Sequence, residues 1–267
     1  MSFYKSLLLL FAGCLPVVCF LKLDAAEDKN LVLYLSFDEG NGNAVKDLSG
    51  SKNDGVINGK VKWVNGKENN ALEFGGDATQ YVEVQDSDSL HFGKKPFAYM
   101  AWVKSKKFGD YQSVITKRHI MAGDGKPTAT LFIHKKGNIF IEFRDSIQGM
   151  NAFDAPDAVL KLNAWHHLAW VKDDRELRVY VDGKLKQKMA HDRKGELTST
   201  EPLRVGVHHY GNTWNAPFIG IIDEVAVFRG ALNENDVRQF MESILPVSPL
   251  GKLATAWGGN ETILNRR

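Results

Sequence analysis

Apolar and polar residues alternate most regularly from Trp165 to Met189. Leu177, Val179 and Val181 alternate with Arg178, Tyr180 and Asp182, the period of a strand with one buried face. Asp182-Gly183 interrupts the alternation and predicts a two-residue type I′ turn, because both central positions of that turn need positive φ. Asp173-Asp174 predicts the preceding turn. The segment therefore reads as an antiparallel meander, with His166 to Lys172 as its first strand, bringing Leu168 and Trp170 to the sheet.

Short strands of the same kind recur about every ten residues, the spacing of an antiparallel sandwich or barrel. They are predicted at Leu31 to Phe37, Val61 to Val64, Ala71 to Phe74, Tyr81 to Val84, Phe97 to Lys104, Gln112 to Thr116, Thr130 to His134, Ile139 to Phe143, Leu203 to Val207 and Phe218 to Phe228. Asn-Gly, Asp-Gly and Gly-Lys pairs punctuate them. No strand alternates with a helix, which argues against a parallel α/β sheet. The predicted helix follows Asn233 as its cap, with Asp236 three residues on and an apolar stripe of Val237, Phe240, Met241 and Ile244.

The first 26 residues differ from all this. Lys5 precedes an apolar run from Ser6 to Leu21, and Ala25-Ala26 offers a small-residue cleavage site, the pattern of a secretory signal peptide. Phe11-Ala12-Gly13-Cys14 also resembles a lipoprotein box, although the residues after Cys14 stay apolar. The expected organisation is a signal peptide at 1–26, one all-β domain at 27–244 and a tail at 245–267, located outside the cell or in the cell envelope. Both cysteines, Cys14 and Cys19, would leave with the leader, so the mature chain would have no disulfide and no thiolate for zinc. A 267-residue chain that is 43% hydrophobic can bury a full core. Its net charge of +2, without a concentrated basic stretch, does not suggest a nucleic-acid partner.

Five segments, LVLYLSFDEGNGNAVKDLSGSKNDG, ALEFGGDATQYVEV, FAYMAWVKS, NAWHHLAWVKDDRELRVYVDGK and FIGIIDEVAVFRGALNENDVRQF, resemble in order the laminin-G-like, concanavalin A-like jelly-roll family. The resemblance covers about residues 31 to 244. It implies an all-β, two-sheet antiparallel jelly-roll sandwich with one short C-terminal helix, used for adhesion or glycan binding and often extracellular. Members often hold a structural calcium, which by motif maps onto Asp38 and Asp223 and, more loosely, onto Asp47. Asp38 opens a loop rich in Gly and Asn whose carbonyls suit that ion. The alternative is that these carboxylates accept backbone hydrogen bonds at turns.

The loop His208-His209-Tyr210-Gly211-Asn212-Thr213-Trp214-Asn215 has the composition of a sugar site, with aromatic faces beside amides. His208, Tyr210, Trp214 and Asn215 are the candidate ligand contacts, with Arg144 from a second polar segment near Asp145, Asn151 and Asp154. The alternative is that Trp214 packs beneath the loop as a satellite core, since a single loop aromatic is more often packing than platform. Adjacent histidines on a strand face opposite ways, so neither His208-His209 nor His166-His167 can chelate one ion from regular strand.

No catalytic residue is assigned. Asp38-Glu39, Glu142 with Asp145, and Asp223-Glu224 lack the Glu-x-Asp-x-Glu spacing of sandwich glucanases, and no nucleophile elbow, Walker loop or His-Glu-x-x-His helix occurs. The sequence therefore reads as a non-catalytic module binding a glycan or an extracellular protein. A glycoside hydrolase or lyase of the same fold, and a purely structural module, are the rivals.

Overall fold

The computed structural model describes residues 30–118, 126–147, 149–210 and 214–243, and within these the side chains of Tyr210 and Trp214 are not described. The leader with Cys14 and Cys19, the tail, and Ile244 lie outside the described residues. In chain order the strands are β1 (Leu31–Leu35), β2 (Ala44–Val45), β3 (Gly55–Asn58), β4 (Lys62–Asn65), β5 (Asn70–Gly75), β6 (Tyr81–Val84), β7 (Phe97–Ser105), β8 (Gln112–Arg118) and β9 (Thr128–Ile133). They continue with β10 (Asn138–Arg144), β11 (Met150–Val159), β12 (His166–Lys172), β13 (Glu176–Val181), β14 (Lys184–Ala190), β15 (Leu203–Val205), β16 (His209–Tyr210), β17 (Trp214–Asn215) and β18 (Ile219–Arg229). The helix α1 (Glu234–Ser243) follows.

Two antiparallel sheets result. The first runs β14-β13-β12-β7-β18-β5-β4, with β1 also on β18, and the second runs β11-β10-β9-β8-β15-β6-β3-β2. This is one of the two architectures, sandwich or barrel, that the strand spacing allows, and it is the jelly roll that the resemblance implies. The inward-facing rows form one core around Trp170, Tyr99, Phe97 and Phe143, with Leu177, Val179 and Val181 buried on the predicted face. Asp182 (φ 53°) and Gly183 (φ 72°) both take the left-handed conformation required by the predicted turn.

Strand β18 is central. Its first half pairs with β5 (Ile222↔Leu72) and its second half with β1 (Val225↔Leu35), while β7 flanks it on the other side. Between the halves the β18–β7 register shifts and Glu224 adopts φ 53°. Such a bulge releases ladder positions, which is why two acids can stand inside an apolar strand.

Helix α1 covers part of the first sheet's outer face, packing Val237 and Phe240 with Tyr34, Ala226 and Phe228. Its start is reciprocal: Asn233 Oδ1 accepts from the amides of Asn235 (2.8 Å) and Asp236 (3.1 Å), and the Asn233 amide donates to Asp236 Oδ2 (2.8 Å). The segment around Asn151 and Asp154, read from sequence as irregular, is instead the edge strand β11. An edge tolerates Pro156 because one side of its backbone has no partner strand to satisfy.

Candidate functional site

The acids of the β18 bulge meet two other chain segments where β1 ends and β5 begins. Asp223 is fully buried. Its Oδ2 accepts from the Lys67 amide (2.8 Å) and, more weakly, from that of Glu68 (3.4 Å). Asp38, three residues past β1, holds the same turn: its Oδ1 accepts from the Asn70 amide (3.3 Å) and its Oδ2 from the Asn69 side chain (3.2 Å). Two carboxylates thus clasp one turn, residues 66–70, from opposite sides. Glu224 accepts a hydrogen bond from the Tyr34 hydroxyl.

Burial raises the Asp223 carboxyl to about 7, helped by the charge of Asp38 and opposed by the amides it accepts from. Burial likewise raises Glu224 to about 9, with Asp223, Asp38 and Glu68 adding to the rise and the Tyr34 hydroxyl opposing it. Glu68 is itself raised, chiefly by desolvation. The cluster holds more negative charge than its hydrogen bonds neutralise.

Gly66 is fixed by this arrangement. A Cβ there would lie 2.5 Å from Asp223 Oδ2 and 2.7 Å from the Asn70 carbonyl, and closer still to the Glu68 carbonyl. Three oxygens therefore converge on a space kept open by a missing side chain. Among the described residues no three His, Cys, Asp or Glu side chains form a metal-ligand group. Calcium takes backbone carbonyls as well as carboxylates, and Asp38, Asp223 and the turn carbonyls are oxygens of that kind, while both carboxylates also accept hydrogen bonds from the turn, the alternative that the sequence offered. Asp47 is committed elsewhere: its carboxylate accepts from Tyr34 N (2.9 Å), Ser49 N (2.9 Å), Ser49 Oγ (2.9 Å) and Asn53 N (2.8 Å), organising the loop after β2.

A second constellation lies on the outer face of the second sheet. A cleft of about 480 Å³ is lined by Asn58, Gly59, Ala78, Thr79, Tyr81, His209 and Asn215. The register sets it: Asn58 pairs with Tyr81 across β3 and β6, and the inward positions Val82 and Val84 leave Tyr81 and Glu83 outward. His209 meets the Tyr81 ring edge-on at 5.3 Å, and its Nε2 lies 3.0 Å from the Ala78 carbonyl, which fixes the ring. The Arg204 guanidinium stands 5.9 Å from the Tyr81 ring. An aromatic ring flanked by two amides and an imidazole suits a ligand with both apolar faces and hydroxyls.

Of the residues singled out in the sequence, Asn215 is exposed at this cleft, while the side chains of Tyr210 and Trp214 lie outside what is described. His208 does not face the cleft. Its ring is fully buried against Phe132 (5.0 Å), and burial holds its pKa well below the usual imidazole value. The neighbouring His209 takes the outward position, as alternation requires. Arg144 shares the sheet face but sits at the other end of β10. The His208 loop contacts Phe132, whose partner is Phe140, four residues and about 13 Å along the strand from Arg144. Asn58, Thr79 and Tyr81 were not singled out from sequence. The available signal was Tyr81 itself, an aromatic on the polar phase of an alternating strand.

The remaining histidine pair is structural. His166 Nδ1 lies 2.9 Å from Asp182 Oδ2, and His167 is buried against Trp102 with its pKa held down to about 3 by desolvation. No helix among the described residues is long and apolar enough to cross a membrane.

Solved structures share this architecture at low identity. The binding domain of Paraclostridial Mosquitocidal Protein 1 matches with a TM-score of 0.64 and 18% identity over 80% of this chain and 52% of its own. Domain 4 of AbnA, a GH43 extracellular arabinanase from Geobacillus stearothermophilus in complex with arabinotriose, matches at 0.62 and 20% over 79% of this chain and 98% of its own. The botulinum neurotoxin serotype D ligand binding domain in complex with N-acetylneuraminic acid matches at 0.61 and 15% over 80% and 51%. The chain spans about half the length of these toxin domains. No curated protein matches the chain. The family model Laminin_G_3, of the concanavalin A-like lectin/glucanases superfamily, matches residues 74–238.

Proposed function

Because the chain belongs to the concanavalin A-like lectin/glucanases superfamily, we propose that it is an exported, non-catalytic carbohydrate-binding module that takes its ligand beside Tyr81 and His209. The observation that carries this reading is the cleft itself, where an aromatic ring, an imidazole and the amides of Asn58 and Asn215 open to solvent together. The sugars bound in two structures of the same fold support a carbohydrate as ligand. A binding role rather than hydrolysis is supported by the outer-face carboxylates. Glu142 is held by Arg118 and Asp154 by Asn138, so neither is free to act as the acid or base of a glycosidase pair. In the same proposal calcium sits between Asp38 and Asp223. There it would neutralise the clustered carboxylates and pin the 66–70 turn to the β18 bulge.

The test is titration calorimetry with arabino-oligosaccharides and a sialylated probe on the protein and on Tyr81→Ala. Binding without release of reducing sugar, weakened about tenfold or more by the substitution, is expected. Equal binding by the variant removes the cleft from the reading, and release of reducing sugar makes the protein an enzyme. Absence of any glycan binding leaves the extracellular-protein partner.

A further inference from the structure

The outer face of the second sheet carries three arginines, and two of them are neutralised. Arg204 donates to Glu83 through Nε (3.0 Å) and a terminal nitrogen (2.9 Å), and Arg118 is held by Glu142. Arg144 has no such partner. It lies on β10, two residues beyond Glu142, and shares Thr128 of β9 as a register neighbour with Arg118. Arg118 and Arg144 therefore flank a short side chain from strands two steps apart, about 10 Å. Glu142 experiences the charge of both guanidinium groups and is bonded to one.

Comparison with the other arginines sharpens the point. Arg144, Arg178 and Arg229 each have a buried Nε without a hydrogen-bond partner. One terminal nitrogen of Arg178 is held by Asp173, and one of Arg229 donates to the Asp88 and His91 carbonyls. The Arg144 side chain makes no hydrogen bond or ion pair with any described residue. A guanidinium that has lost part of its hydration without gaining an acceptor stands ready for an external anion.

We propose that Arg144, the arginine of this face left without an acid partner, forms a subsite that receives the carboxylate of an acidic sugar residue. A carboxylate matches the planar donor fork in a way that a neutral hydroxyl does not. The proposal rests on the carbohydrate-binding reading and specifies its ligand. The subsite lies at the opposite end of the face from Tyr81, and β6 and β10 are four strand spacings apart, about 19 Å. A ligand that engages both is an acidic polymer rather than a terminal sugar.

Polygalacturonate and its methyl-esterified form provide the test, since esterification removes the charge and keeps the sugar. The protein should bind the acid polymer and bind the ester about tenfold or more weakly. Arg144→Gln should lose about tenfold to hundredfold toward the acid form. Arg144→Lys, which keeps the charge without the fork, should fall between, and added salt should weaken the acid form selectively. Circular dichroism and melting of the half-exposed Arg144 variants confirm that they fold. Equal binding of acid and ester, or undiminished acid binding by Arg144→Gln, overturns the subsite. If arabino-oligosaccharides still bind through Tyr81 in that case, the subsite fails alone. If no sugar of either kind binds, the carbohydrate reading fails and takes the subsite with it.

Discussion

Raising the pH from 7 to 8.5 should destabilise the calcium-free protein. Glu224 has a folded pKa of about 9, against 4.5 for the unperturbed group, because it is buried beside Asp223 and Asp38. Between those values the native state holds a proton that the unfolded chain has released. Each pH unit in that interval therefore costs the fold about 1.4 kcal/mol. Asp223 adds to the loss from about pH 4 up to its own value of about 7. His167, His191 and His208 act with the opposite sign, since burial keeps them neutral in the fold, but their contribution is complete once the unfolded chain has lost its imidazolium near pH 6.5. The buried Lys117 and Lys172, whose pKa values burial lowers, oppose the trend on the alkaline side. In the interval from 7 to 8.5 Glu224, with the higher of the two raised carboxyl values, therefore contributes most of the fall. For a domain of this size 1 kcal/mol moves the melting point by about 2–4 °C, so the expected fall is about 3–6 °C per pH unit. Scanning calorimetry in a calcium chelator measures it. Glu224→Gln keeps an acceptor for the Tyr34 hydroxyl and removes the ionisation, so its melting point should stay level over the same interval. A flat or rising melting point in the unsubstituted protein, or an undiminished slope in the variant, refutes the reasoning.

Two further outcomes follow from packing and charge. Gly66→Ala pushes a methyl group into oxygens of Asp223, Glu68 and Asn70. It should cost about 1–3 kcal/mol in denaturant titration, and if the proposed calcium is bound, a rise in melting temperature on adding calcium should be smaller in the variant than in the unsubstituted protein. Asp86→Ala removes the carboxylate that pairs with the buried Lys117 at 2.6 Å and should cost about 3–5 kcal/mol by chemical denaturation, because an uncompensated ammonium remains inside.

The sandwich was legible because strands such as β6 and β10 alternate cleanly and turn residues such as Asp182-Gly183 leave few conformations open. Strand β11 was not, since Asp154, Pro156 and Asp157 break the alternation that an edge strand does not require. Asp38 and Asp223 were legible as a pair only because the resemblance places the first and last strands together. The part played by residues 66–70 was hidden, as it depends on where β5 begins against β18. The cleft was hidden for a similar reason: Asn58, Tyr81 and His209 are far apart in the chain and meet through the order β15-β6-β3. Loop composition singled out Asn215, which lines the cleft, but it could not say that His208 is buried and His209 faces the cleft.

The pairing of Leu33 with Val227 also sets a timetable for folding. Nearly two hundred residues must be made before β1 meets β18, and β7 and β5 likewise wait for β18 to lie down beside them. Ladders that join such distant parts of a chain form slowly. A growing chain therefore stays open until its last strand arrives, then closes the first sheet and brings the Asp38 and Asp223 carboxylates together in the same late event.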